Sequence, residues 1–150
     1  MKDSQENIIG LAMILLKQDE KKILIGKRRN GMSDVTGKLG FPGGHLQDNE
    51  TPRKGCIREI EEETGLTLED YKLIDETPFA KVYHSEDDGK RKYVTLYFRA
   101  DYTSKARAVV TEPEKCVWWN WYSMEEIKKA EEELFAPVRE FIRQGYNPFK

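Results

Sequence analysis

The sequence is poor in the residues that build cross-links and metal cages, with two cysteines and two histidines in 150 residues. Cys56 and Cys116 lie in unrelated contexts without metal-type spacing, which argues against a disulfide scaffold and fits a reducing interior. His45 follows a double glycine and His84 sits near a turn; neither has metal-ligand spacing, and both are expected to be structural or exposed. Long hydrophobic runs are also missing: Ile8 to Leu16 is too short to span a bilayer, and the polar stretch Met1 to Asn7 carries no export signal. Nor does one sign of charge dominate. The formal net charge is -2 with acids and bases interspersed, so composition offers no stable nucleic-acid or membrane partner. The expectation is a cytoplasmic protein with one domain over residues 1–150, long enough to bury a core.

Ile8 to Leu16 and Lys22 to Lys27 are β-compatible stretches separated by the polar Gln18-Asp19-Glu20-Lys21, a hairpin pattern. Asn30 to Lys38 reads as a loop leading to the short segment Leu39-Gly40-Phe41, after which Gly43-Gly44 is expected to turn the chain. Thr51 followed by Pro52 is a helix start, and Gly65 is the matching stop. On that helix Ile57 and Ile60 can face a core. Leu73 to His84 and Lys92 to Asp101 flank a segment whose Asp88-Gly89 step suits a turn, predicting a second hairpin. Cys116 to Tyr122 is a further strand. Ser123 to Glu126 has capping-box spacing, and Pro137 is expected to interrupt the C-terminal helical region before it ends at Gly145.

The chemistry is concentrated between Gly44 and Leu66. Five residues separate Gly44 from Glu50 and seven separate Glu50 from Arg58, and the chain then reads Arg58-Glu59-Ile60-Glu61-Glu62-Glu63-Thr64-Gly65-Leu66. On a helix Glu59, Glu62 and Glu63 share one face, while Glu61 points elsewhere. Like charges at this spacing repel, so the cluster calls for a cation, and a hard divalent ion such as Mg²⁺ prefers such oxygen ligands. Arg58 can brace the cluster, with Glu50 as its natural carboxylate partner. The bland reading is a solvated acidic face. The full pattern of seven fixed and two apolar positions has a chance probability on the order of 10⁻⁹ per window, which favours a site.

This pattern resembles the Nudix box at every defining position. The resemblance implies a Nudix fold, an α+β architecture in which an α/β/α sandwich encloses a central mixed β-sheet, with the box at residues 44–66. It also implies hydrolysis of a phosphoanhydride with Mg²⁺ as cofactor, or Mn²⁺ in its place. Carried over by position, Glu59, Glu62 and Glu63 and the carbonyl of Gly43 are metal ligands. Glu59, Glu62, Glu63 and Arg58 form the catalytic set, and Gly44, Glu50 and Gly65 are structural positions of the box. A carboxylate and metal cluster provides the positioning, lowered water pKa and neutralised phosphate oxygens that diphosphate cleavage needs. Glu62, Glu112 or Glu114 is the candidate base.

Stretches outside the box, Thr111 to Cys116, Lys92-Tyr93-Val94-Thr95 and Leu134 to Phe149, resemble the MutT-type nucleotide diphosphatases of the family, including those that remove thioguanine triphosphates. That likeness implies cleavage of a nucleoside triphosphate to monophosphate and pyrophosphate, a sanitising role toward modified purine nucleotides, and a homodimer. It carries over Arg28, Gly43, Gly44, Thr95, Glu112 and Phe135 as substrate contacts, Arg28 to phosphate and Phe135 as a base-stacking ring. Pro137 departs from the pattern, because the relatives hold guanine partly through backbone amides there and proline has no amide hydrogen. The loop Asn30 to Lys38 is also longer. Trp118, Trp119 and Trp121 are read as core or dimer-contact residues, with base stacking as the alternative. A nucleoside diphosphate sugar, a dinucleoside polyphosphate or an RNA 5′ end are other substrates for the same box, and a nucleotide-binding module without turnover is the non-enzymatic alternative.

Overall fold

In the computed structural model, which describes residues 7–34, 37–85 and 92–150, the first apolar run forms β1 (Asn7–Lys17). Leu11, Met13 and Leu15 point into one core, and Ala12, Ile14 and Leu16 into another. A strand covered on both faces needs no polar alternation, hence the continuous apolar run. β2 (Lys22–Arg28) returns antiparallel with Leu16 opposite Ile23. The chain continues through β3 (Leu39–Gly40), β4 (Gly43–His45), α1 (Pro52–Thr64), β5 (Tyr71–Leu73), β6 (Ala80–Ser85), β7 (Lys92–Tyr102) and β8 (Cys116–Ser123). It closes with α2 (Met124–Lys129), a 3-10 turn at Glu131–Glu133 and α3 (Ala136–Arg143).

The eight described strands form one sheet. β7 runs parallel to β1 from Asn7 opposite Lys92 to Leu16 opposite Asp101, while the other pairings are antiparallel, so the sheet is mixed. α1 covers one face through Cys56 and Ile60, which join the cluster of Leu11, Met13 and Phe98. α2 and α3 cover the other through Ile127, Val138 and Phe141, packed with Ile14, Ile25 and Tyr97. This is the α/β/α sandwich. Among the described residues no helix is long and apolar enough to cross a membrane.

Three local expectations change. Gly43 and Gly44 do not turn the chain; with His45 they form a strand against Gly10, Leu11 and Ala12 of β1. A glycine pair has no side-chain period to reveal a strand. Leu73 to His84 is not one strand, since β5 and β6 pair with separate parts of β7, Leu73 opposite Ala100 and Val82 opposite Thr95. The break between them contains Pro78. Pro137 does not interrupt a helix but lies in the first turn of α3, where its missing amide costs no helical bond. The expected Asp88-Gly89 turn lies outside the described residues. Ile60 is buried and Ile57 half-buried, whereas Cys56 and Cys116 are both unbridged.

Tyr97 ties α3 to the sheet. Its ring lies 4.7 Å from that of Phe141, and its buried hydroxyl donates to the Pro137 carbonyl at 2.8 Å. Tyr97→Phe is expected to remove this bond between sheet and helix and lower stability by about 1 kcal/mol, measured by urea unfolding; an unchanged midpoint would contradict this role.

Candidate active site

The helix that carries the acidic cluster has defined ends. The Thr51 hydroxyl accepts from the Lys54 amide at 3.3 Å, Pro52 occupies the first turn, and Gly65 ends the helix at φ 78° with its amide donating to Glu61 O. Gly55, Cys56, Ile60 and Thr64 are buried, leaving Glu59, Glu62 and Glu63 near the edge of the sheet. Gly44 lies directly against that edge: a Cβ there would stand 2.3 Å from the Glu59 carboxyl carbon. Any side chain at position 44 would displace the carboxylate.

Arg58 sits at the centre of the cluster. Its Nη2 and Nε donate to the two oxygens of Glu50 at 2.7 and 3.0 Å, the forked pairing that suits guanidinium and carboxylate. Nη1 donates to Glu59 at 2.7 Å and to Glu62 at 3.0 Å, and Nη2 also reaches the His45 carbonyl at 3.2 Å. Arg58 holds the Glu50 carboxyl down at about 2, helped by the Gln47 amide. The reciprocal bond to Glu50, with those to Glu59 and Glu62, raises the Arg58 guanidinium well above its ordinary value.

Glu63 behaves differently. Its Oε1 accepts from the Gly43 amide at 2.8 Å, and burial pushes its carboxyl up to about 7, with the charges of Glu59 and Glu112 adding to the rise and Arg28 and the Gly43 amide opposing it. Glu112 comes close because its loop is fastened to α1: the Val109 amide donates to Thr64 O at 2.9 Å, and the Thr111 hydroxyl donates to Glu62 O. Glu114 is exposed, with its carbonyl accepting from Gly31 N at 2.8 Å. Among the described residues no three His, Cys, Asp or Glu side chains are grouped as a metal cage; Glu59 and Glu62 turn to Arg58, and Glu63 to Gly43. The donor set nevertheless fits a hard divalent ion, because it offers only oxygens and includes a half-buried carboxylate pressed by a like charge.

Beside the cluster lies a cleft of about 770 Å³. Gly43 and Gly44 line it at the box end, Thr95 lies on the sheet face that floors it, and Arg28, Phe135 and Pro137 line it elsewhere. The Arg28 guanidinium lies 3.9 Å from the centre of the Phe135 ring, a stacked cation–π pair.

Residues 9–144 match the model of the NUDIX domain family. The chain belongs to that family. It is 31% identical over 90 residues to the 8-oxo-dGTP diphosphatase of Escherichia coli (strain K12), covering 60% of this chain and 63% of that protein. It is 29% identical over 140 residues to the mRNA-decapping protein g5R of African swine fever virus (isolate Pig/Kenya/KEN-50/1950), covering 83% of this chain and 56% of that protein. The match thus spans less than two thirds of either relative's length. In fold it is similar to the MutT protein from Methanosarcina mazei Go1, with TM-score 0.74, 22% identity and 95% of each chain covered.

Within this NUDIX domain, Arg58, Glu50, Glu59 and Glu62 meet in one bonded cluster, with Glu63 beside Glu112 and Arg28. Of the substrate contacts expected from sequence, Arg28, Gly43, Gly44, Thr95 and Phe135 line the cleft, whereas Glu112 is not among its lining residues. None of the three tryptophans lines it either: Trp119 covers Gly26, Trp121 packs on Tyr102 and Trp118 on Tyr122. Sequence reasoning missed His45, His84, Tyr93, Lys38 and Arg139, which share the cleft. The histidines were read as structural or exposed; strand pairing brings both to the site, His84 opposite Tyr93 and His45 opposite Gly10.

Because burial raises Glu63 above its ordinary 4.5 to about 7, the folded chain holds that proton more tightly than the unfolded chain. Its contribution to stability is present below about pH 4.5 and lost as pH rises through about 7. In metal-free protein the stability difference between wild type and Glu63→Gln should therefore change across that window, measured by denaturant titration at several pH values. A constant difference would contradict the raised carboxyl.

Proposed function

We propose that the protein is a Mg²⁺-dependent hydrolase that converts a nucleoside triphosphate to the monophosphate and pyrophosphate. The observation that carries this reading is the position of Gly44, which touches the Glu59 carboxylate on one side and lines the cleft on the other. A diphosphate passing Gly44 lies between the acidic helix and a cavity of a size suited to a nucleoside.

In this reading Glu59, Glu62, Glu63 and the Gly43 carbonyl hold the ion, which supplies positive charge against the phosphate oxygens. Arg58 keeps Glu59 and Glu62 in place through its fork on Glu50. Arg28, whose charge is felt at Glu63, binds a phosphate from the cleft side. Glu62, with 47% of its side chain exposed, takes the proton from the attacking water. Thr95 and Phe135 contact the nucleoside. Pro137 has no amide hydrogen, so it supplies no donor to a guanine.

The likeness to an 8-oxo-dGTP diphosphatase supports a sanitising role toward modified purine deoxynucleotides, with thioguanine triphosphates among the nucleotides to be tried. Function in the cytoplasm, as a homodimer of a single catalytic domain, belongs to the same reading. The relative named as an mRNA-decapping protein, matched over 83% of this chain, favours an RNA 5′ end as second substrate class. Steady-state kinetics with oxidised and normal purine triphosphates and capped RNA separate the two. Glu59→Gln and Glu63→Gln should each lower kcat by roughly 10²-fold or more with folding retained; wild-type rates in both variants would overturn the site.

A further inference from the structure

The cleft floor is the face of the sheet that runs from the box to the β6 edge. Residues lie across it in rows set by the strand pairing: Gly43, Ala12, Tyr97 and Ala80, then His45, Gly10, Thr95 and Val82, then Ile8, Tyr93 and His84. Gly10 and Ala12 keep the middle of the floor low. A Cβ on Gly10 would stand 3.0 Å from the Thr95 hydroxyl, so the glycine leaves that hydroxyl uncovered. Thr95 lies two strand spacings from β4, roughly 10 Å. That distance is within the reach of a nucleoside whose phosphates lie at Gly44, and Thr95 lines the same cleft.

Thr95 is only 6% exposed, and its hydroxyl is 3.0 Å from His84 Nε2. His84 is held flat against Tyr93, with ring centroids 5.1 Å apart and planes 4° from parallel. Burial lowers the His84 pKa against the opposing charge of Glu140, which favours the neutral ring. A neutral imidazole has one donor and one acceptor nitrogen, and the two tautomers exchange them. With Nε2 as acceptor, Thr95 donates to His84 and presents oxygen lone pairs to the cleft. With Nε2–H as donor, the Thr95 proton is released toward the cleft.

We propose that His84 is a specificity-determining positioning residue: through its bond to Thr95 it lets the cleft floor accept from an amino group or donate to a keto group of the bound nucleoside. The inference rests on the nucleotide reading above for the identity of the occupant. Its consequence is tolerance between 6-amino and 6-oxo purines. Without the imidazole, Thr95 can still donate to a keto group. When it accepts from an amino group, however, its own proton is left buried without a partner, the costlier fault.

The test is binding of adenosine and guanosine monophosphate to metal-free protein, by calorimetry, in wild type, His84→Phe and His84→Gln. His84→Phe keeps a flat ring against Tyr93 and should weaken adenosine monophosphate about tenfold more than guanosine monophosphate. His84→Gln, whose amide can turn either its nitrogen or its oxygen to Thr95, should restore the wild-type ratio and guards against a folding defect. An unchanged ratio in His84→Phe, or a wild-type protein that binds neither monophosphate, overturns the assignment. No turnover enters this measurement, so failure of the hydrolase reading and failure of the His84 role are observed separately.

Discussion

Three carboxylates on one short helix face repel one another, and the site is organised around what offsets that repulsion. Arg58 does so for Glu59 and Glu62 while its fork on Glu50 anchors the guanidinium to the loop before the helix. Glu63 has no such bond. It is left with a backbone amide and a carboxyl raised chiefly by burial, with the charges of Glu59 and Glu112 adding to the pressure, so the cluster is neutralised on one side and poorly compensated on the other. A divalent ion relieves that pressure without new side chains, which is why an oxygen-only donor set beside a diphosphate-sized passage is coherent chemistry.

The fold delivers this arrangement through close approach rather than through many polar contacts. β4 lies against β1, bringing Gly43 to the Glu63 carboxylate and Gly44 to the Glu59 carboxylate. β1 is buried on both faces, so the helix on one side and the cleft on the other share one rigid strand. Leu11 packs with α1 while its neighbour Ala12 lines the cleft. The loop carrying Glu112 is fastened to the last turn of α1, which adds a fourth carboxylate near Glu63.

Features whose physics is local were legible in the sequence. Thr51, Pro52 and Gly65 bound the box helix through capping and backbone preferences, and Ser123 with Glu126 forms the expected reciprocal cap. The acidic face followed from helical spacing alone. Features made by long-range pairing were not legible. β4 was hidden by two glycines, and the division between β5 and β6 depends on where each meets β7. Arg28 and Phe135 were assigned separate contacts, yet they stack on each other, a meeting set by the proximity of β3 to α3 that no local pattern reports. The cleft floor around His84 belongs to the same class, since register across three strands places it.

The central claim is that the box carboxylates hold a divalent cation. Mn²⁺ titration of the nucleotide-free protein, followed by electron paramagnetic resonance, addresses it without reference to any substrate. The account predicts saturable binding in wild type that is lost in the Glu59→Gln, Glu63→Gln double variant while the fold is kept. Equal Mn²⁺ binding by the two proteins would contradict it.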